Sequence, residues 1–217
     1  MDHPRVIRLA ACLAVIALTI AGCGAIGPPA GPTAVATSGT PFVRWPAPSD
    51  PLERTTAAGL VAETTEHLAF HVHAHLDVFI DGTPVVVPAG IGINITDPGV
   101  KAFPLPGGSN AYGGITGCDQ PCISPLHTHG PTGIIHTESA TTTPNTLGQF
   151  FTEWGVPLSA ACVGEYCAPQ QPIAVYLGGA PFTGDPAMIQ LSDRLVIAIV
   201  IGKPPAVIPA IADFTQD

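Results

Sequence analysis

Of the eight histidines in this 217-residue chain, three stand at alternate positions in one short stretch, HVHAHLDVFIDG, as His71, His73 and His75. A second alternating pair, His127 and His129, lies in LHTHGPTGIIHTES, where His136 and Glu138 follow, again two residues apart. Imidazole nitrogens are good ligands for Zn, Cu and Ni. Successive side chains of a strand leave by opposite faces, so alternate residues can turn two ligands toward one ion. If the strand carrying His136 and Glu138 pairs near the one carrying His71 to His75, both clusters converge on a single metal. The expected ligands are therefore His71, His73, His75, His127, His129 and His136. Asp77 and Glu138 are candidate carboxylate ligands, or acceptors that orient an imidazole. His67 stands outside the alternation and is not assigned as a ligand. A lone histidine would read as a surface residue on a solvated sheet face, but six residues in two alternating clusters argue against that.

The expected metal follows from the donor set. It is rich in nitrogen, and Met188 is the only methionine besides Met1. That disfavours a methionine-rich Cu(I) site and leaves Cu or Zn, with an all-imidazole site favouring Cu(II).

The first cluster needs a strand to carry it. Phe70, Val72, Ala74, Leu76, Val78 and Ile80 fall on one face of residues 70–80, with the histidines and Asp77 on the other. Asp81-Gly82 signals a tight turn, and PVVVP supplies the return strand. Residues 92–132 form a Gly/Pro-rich excursion without periodicity, a length that in a compact domain marks a functional or mobile loop. Thr146 and Gln149 make a capping box for a helix whose Leu147, Phe150, Phe151 and Trp154 form one apolar stripe, and Gly155 stops it. PIAVYLGG reads as a strand and turn. RLVIAIVIG is apolar on both faces and reads as a central strand. The expected fold is α+β, a compact mixed sheet with one main helix. Its order of hairpin, helix, strand and central strand resembles the β-grasp arrangement.

The 24 glycines and 25 prolines exclude a helical bundle, and the net charge of −9 with only 7 basic residues excludes a nucleic-acid backbone as partner. At the N-terminus, Arg5 and Arg8 precede an apolar run from Leu9 to Ile20, the pattern of a signal peptide over residues 1–22. Ile20-Ala-Gly-Cys23 resembles the lipobox of bacterial lipoproteins, which implies that Cys23 carries the lipid and anchors the chain to the extracytoplasmic face of the cell membrane. Residues 23–50, rich in Pro and Gly, read as an extended tether, and a single extracytoplasmic domain is expected over 51–217. Asp50-Pro51-Leu52-Glu53 has the form of a capping box opening that domain. Cys118, Cys122, Cys162 and Cys167 remain for two disulfides in an exported domain, either as local bridges or as cross-links between two loops.

HVHAHLDVFIDG, VPAGIGI, LHTHGPTGIIHTES and TLGQFFTEWGV together resemble a little-characterised family of exported proteins from actinobacteria and ammonia-oxidising archaea, along residues 70–202. The resemblance implies one coherent domain with a shared histidine site, and no reaction. This chain departs from it at Gly130, where the family more often has Asp. If that carboxylate orients an imidazole, this chain does without it.

Three classes of function fit these features. The first is a lipid-anchored protein binding Cu or Zn in metal handling. The second is a metal-dependent enzyme with Glu138 as general base; Ser124 has no sequence context that marks it as a nucleophile. The third is a scaffolding or interaction lipoprotein without metal.

Overall fold

The computed structural model describes residues 39–142 and 144–215; the signal-like segment, Cys23 and the first part of the expected tether lie outside them. In chain order the elements are α1 (Pro51–Ala57), β1 (Phe70–Ile80), β2 (Thr83–Val85), β3 (Lys101–Pro104), β4 (Asn110–Gly113), β5 (Leu126–His127), β6 (Ile134–Ser139), α2 (Leu147–Trp154), β7 (Cys162–Val163), β8 (Tyr166–Cys167), β9 (Ile173–Leu177), β10 (Ala180–Phe182) and β11 (Val196–Ile201). Seven strands form one sheet in the order β10-β9-β11-β1-β6-β5, with β2 also on β1. Only β1 and β11 run parallel; the other pairings in this sheet are antiparallel. The fold is the expected α+β class, and its hairpin, main helix, strand and central strand follow in the expected order.

β1 organises the sheet because it is long. Its residues 75–80 pair with β11 on one edge, while the other edge holds β6 along residues 70–75 and β2 along 78–80. The turn to β2 puts Asp81 at φ 48° and Gly82 at φ 79°, the two left-handed residues that a tight hairpin of this hand requires. β11 is buried along its whole length, as its two-faced apolar sequence requires.

Alternation then divides the sheet into two faces. Ala74, Leu76 and Val78 of β1 pack with Ile197, Ile199 and Ile201 of β11 and with Leu147, Phe150, Phe151 and Trp154 of α2 in one core. α2 is closed at both ends as its sequence indicates. Thr146 Oγ1 accepts from the Gln149 amide at 3.3 Å while Gln149 Oε1 accepts from the Thr146 amide at 2.9 Å, and Gly155 caps the helix at φ 75°. α1 forms without its expected box. Asp50 makes no side-chain cap; its Oδ1 accepts from Arg54 Nε at 2.9 Å instead, since the guanidinium one turn on competes for the same carboxylate.

The excursion of residues 92–132 carries structure of its own. β3 and β4 form a hairpin, and Ile93, Ile115, Cys122 and Ile123 make a second, smaller core. Both disulfides are local, Cys118–Cys122 and Cys162–Cys167, so neither ties the two loops together. Packing also begins before residue 51. Phe42 bridges to Val85 in parallel, and the Trp45 ring meets Trp154 edge-on at 5.7 Å. The end of the Pro-rich segment is thus a strap laid along the domain. Among the described residues, no helix is long and apolar enough to cross a membrane.

Candidate metal centre

Strand register assembles the histidines. His73 lies opposite His136, His136 lies opposite His127, and His71 lies opposite Glu138. Three imidazoles therefore stand in a row across β1, β6 and β5, with a histidine and a carboxylate in the next row. These residues share the sheet face opposite α2. At the far end of β1 that face turns apolar, with Phe79 beside Val200.

His129 lies two residues beyond the end of β5, and β4 brings it back. The Tyr112 amide donates to the His129 carbonyl at 3.0 Å, and His129 Nδ1 donates to the Tyr112 carbonyl at 2.5 Å. The His127 ring is buried, with Nδ1 donating to the Ser124 carbonyl at 2.9 Å. A neutral imidazole that donates through Nδ1 presents its lone pair at Nε2. The two Nε2 atoms, His127 and His129, lie 3.2 Å apart. Two nitrogens bound to one tetrahedral ion at about 2.0–2.1 Å lie about 3.3 Å apart, so this spacing is that of two ligands of one ion.

His136 is stacked on His127 with centroids 5.2 Å apart and planes within 11°. Its Nδ1 lies 3.1 Å from Glu138 Oε1, which is also 3.1 Å from His71 Nε2. His71 Nε2 in turn lies 2.8 Å from His73 Nε2. Among the described residues two histidine-containing groups could hold a metal ion: His127, His129, His136 and Glu138, and separately His71, His73 and His136. A third group, Asp97 with Cys118 and Cys122, lacks thiolates because the two sulfurs are bonded to each other.

Electrostatics match this layout. Burial holds His127 well below the usual imidazole range, and His129 and His136 push the same way, so the ring is neutral and able to act as a ligand. Burial disfavours ionisation of Glu138, but the His136 hydrogen bond and the charges of His136, His71 and His129 outweigh it and hold the carboxyl below its ordinary range. Glu138 is thus a buried carboxylate, and its Oε2 makes no hydrogen bond.

Not every expected residue joins the centre. His75 shares the face, yet its Nε2 lies 3.0 Å from the Thr132 carbonyl and its Nδ1 3.3 Å from Asp77 Oδ2. His75 and Asp77 therefore face each other one row away, in neither group. His67 faces Glu63, with Nε2 3.1 Å from Oε2.

The structure adds residues that strand periodicity did not mark. Glu66 precedes β1, and its carboxyl is pushed up by burial and by the neighbouring Glu138 charge, which sets a second carboxylate beside the centre. Glu153, on α2, is fully buried. Its Oε1 accepts from Ser124 Oγ at 2.5 Å, and Ser124 Oγ accepts from the Leu126 amide at 3.2 Å. Burial pushes the Glu153 carboxyl up to about 8. It is a protonated anchor that fixes the turn leading into His127. One signal for it was in the sequence: Glu153 lies three residues after Phe150 and so on the apolar side of α2. Gly130 leaves room for a larger residue, with Thr132 Cγ2 the nearest atom at 3.6 Å from an added Cβ. The ring before it is oriented by the Tyr112 carbonyl rather than by a carboxylate at 130.

Neither a protein-family model, nor a curated protein, nor a solved structure matches this chain.

Proposed function

We propose that this protein is a lipoprotein anchored through Cys23 to the extracytoplasmic face of the membrane, where it binds Cu or Zn through its histidine array and serves in metal handling. The convergence of His127, His129, His136 and Glu138 from separate segments carries this reading. Two of those rings already have Nδ1 tied to backbone carbonyls, the arrangement that readies Nε2 for a metal and raises its basicity. Surface histidines on a solvated face need no such ties, and His127 and His136 are buried. The two local disulfides suit an oxidising compartment.

The full-length chain, purified in detergent after metal stripping, takes up Cu(II) or Zn(II) at one ion or more by elemental analysis. It is stabilised by about 3 kcal/mol with free metal at 100 times Kd. The His127→Ala/His129→Ala variant takes up less metal than the wild type, having lost the ion that those two rings would hold. A wild-type chain that binds neither ion and shows no thermal shift overturns the reading. Cys23→Ser moves the chain from the membrane to the soluble fraction if the anchor is as proposed.

One observation favours a second reading, a metal-dependent enzyme. A cavity of about 290 Å³ opens beside His129, lined by Leu105, Pro106, Ser109, Ala111 and Pro131 among others, and could seat a small substrate next to the ion. Glu138 would be the general base. Turnover by the metal-loaded chain on a substrate panel, lost on stripping, would favour it.

A further inference from the structure

We infer that the histidine array holds two transition-metal ions, one on each side of His136, with that ring as the bridge. The inference rests on the metal-binding reading above and deepens it. Five imidazoles gather here, more than a tetrahedral ion accepts, and they sort into two groups whose shared histidine is His136. Ligand atoms of one ion at about 2.1 Å cannot be more than about 4.2 Å apart. His71 and His73 do not join the group of His127 and His129 even within 4.8 Å.

Each outer pair has the spacing of adjacent ligands. The Nε2 atoms of His71 and His73 lie 2.8 Å apart, and those of His127 and His129 lie 3.2 Å apart. Between them the His136 ring is stacked on both sides, on His71 at 6.0 Å and 26° and on His127 at 5.2 Å and 11°. His73 and His129 meet it edge-on, each at 4.4 Å between centroids. The ring is thus the midpoint of a nearly symmetric array. Its two nitrogens can serve the two sides, one for each ion, and Glu138 Oε1 lies 3.1 Å from both His136 Nδ1 and His71 Nε2. Glu138 stands at the shared edge, where its buried carboxylate offsets part of the charge of two cations. A neutral imidazole carries one N–H proton, so engaging both nitrogens of His136 releases that proton to solvent when the second ion binds.

The inner and outer positions differ in exposure. The side chain of His71 is 35% exposed, whereas His127 is fully buried. The His71–His73 ion is therefore the one that exchanges with solvent first, while the His127–His129 ion sits deeper. Two linked positions of unequal access suit an ion that is received at the surface and then held.

Titration of the metal-stripped full-length chain with Cu(II), followed by electron paramagnetic resonance, tests this. Two Cu(II) per chain are expected, with a signal integrating to well below two spins because a shared ring couples the ions. His71→Ala/His73→Ala lowers the stoichiometry to one and restores an uncoupled one-spin signal, and His136→Gln abolishes the coupling. Wild-type protein binding one Cu(II) with one full spin overturns the two-ion inference and leaves the metal-binding reading intact. Two ions giving two full spins overturn the bridge. No Cu(II) bound overturns the two-ion inference, and no Zn(II) bound either overturns the metal-binding reading with it. The wild-type stoichiometry and spin count decide the matter even if a variant fails to fold.

Discussion

His129 shows how little of a ligand's position comes from the ligand. It lies past the end of its strand, and its ring Nδ1 donates to the Tyr112 carbonyl at 2.5 Å. Behind it stands Gly113, where an added Cβ would come 3.1 Å from His129 Nδ1. A methyl group there fits the strand backbone but pushes the ring from its acceptor. Gly113→Ala should therefore weaken Cu(II) or Zn(II) binding by about 10-fold or more, the usual effect of disturbing a group that orients a ligand, with the thermal transition of the metal-free protein little changed. Gly130→Ala is the matched control, since its Cβ meets nothing nearer than 3.6 Å. Calorimetric titration of both variants checks the pair, and equal affinities would show that the Tyr112 contact does not set His129.

At the scale of elements, α2 covers the core and also supplies Glu153, which holds the β5 approach from the far side of the sheet. Its carboxyl is raised by burial from an ordinary value of 4.5 to about 8. The folded state therefore keeps a proton that the unfolded chain gives up above its lower pKa. This contribution to stability is full below about pH 4.5 and is lost as pH rises toward 8, at about 1.4 kcal/mol per pH unit inside that window. Glu153→Gln keeps the shape and the Ser124 hydrogen bond and removes the titration. Denaturant melts at pH 5 and pH 8 should show the wild type losing several kcal/mol relative to the variant between them. Parallel curves for the two proteins would overturn the assignment. α2 is also the element most legible from sequence. Its Thr146/Gln149 box, its stripe of Leu147, Phe150, Phe151 and Trp154, and its Gly155 stop are all local chemistry, and all are present. Asp50 shows the limit of such reasoning, because a pattern of types cannot say that Arg54 will take the capping carboxylate.

At the scale of the whole molecule, the Pro-rich strap belongs to the fold. Trp154 Nε1 donates to the Trp45 carbonyl at 3.1 Å, Trp45 Nε1 donates to Glu165 Oε2 at 3.0 Å, and the Phe42 backbone bonds to Pro84 in β2 and to Val86 just after it. A chain beginning at residue 51 loses the aromatic pair and leaves the Trp154 N–H without its acceptor. It should be less stable than one beginning at residue 39 by about 3 kcal/mol, or roughly 6–12 °C in melting temperature for a domain of this size. Equal melting temperatures would show that the strap is only a tether. Proline richness alone suggests an extended segment and gives no sign of what the segment lies against.

The same division runs through the metal centre. Alternation along the chain put His71 and His73 on one face and gave His136 and Glu138 a common face, because side-chain direction in a strand is a local property of period two. Composition excluded a helical bundle, periodicity and the capping box indicated an α+β fold, and the cysteine count indicated two disulfides, since all of these act within a few residues. Which of these side chains meet was decided by register between strands. His73 reached His136 across a long excursion of chain, and His136 reached His127 across the short loop between β5 and β6, through pairings that backbone hydrogen bonds select. The same register made His136 the midpoint, while the tertiary fold brought Glu66 near Glu138 and set Glu153 behind Ser124. Direction along a strand is written in the sequence; adjacency between strands comes only from folding the core that the strands share.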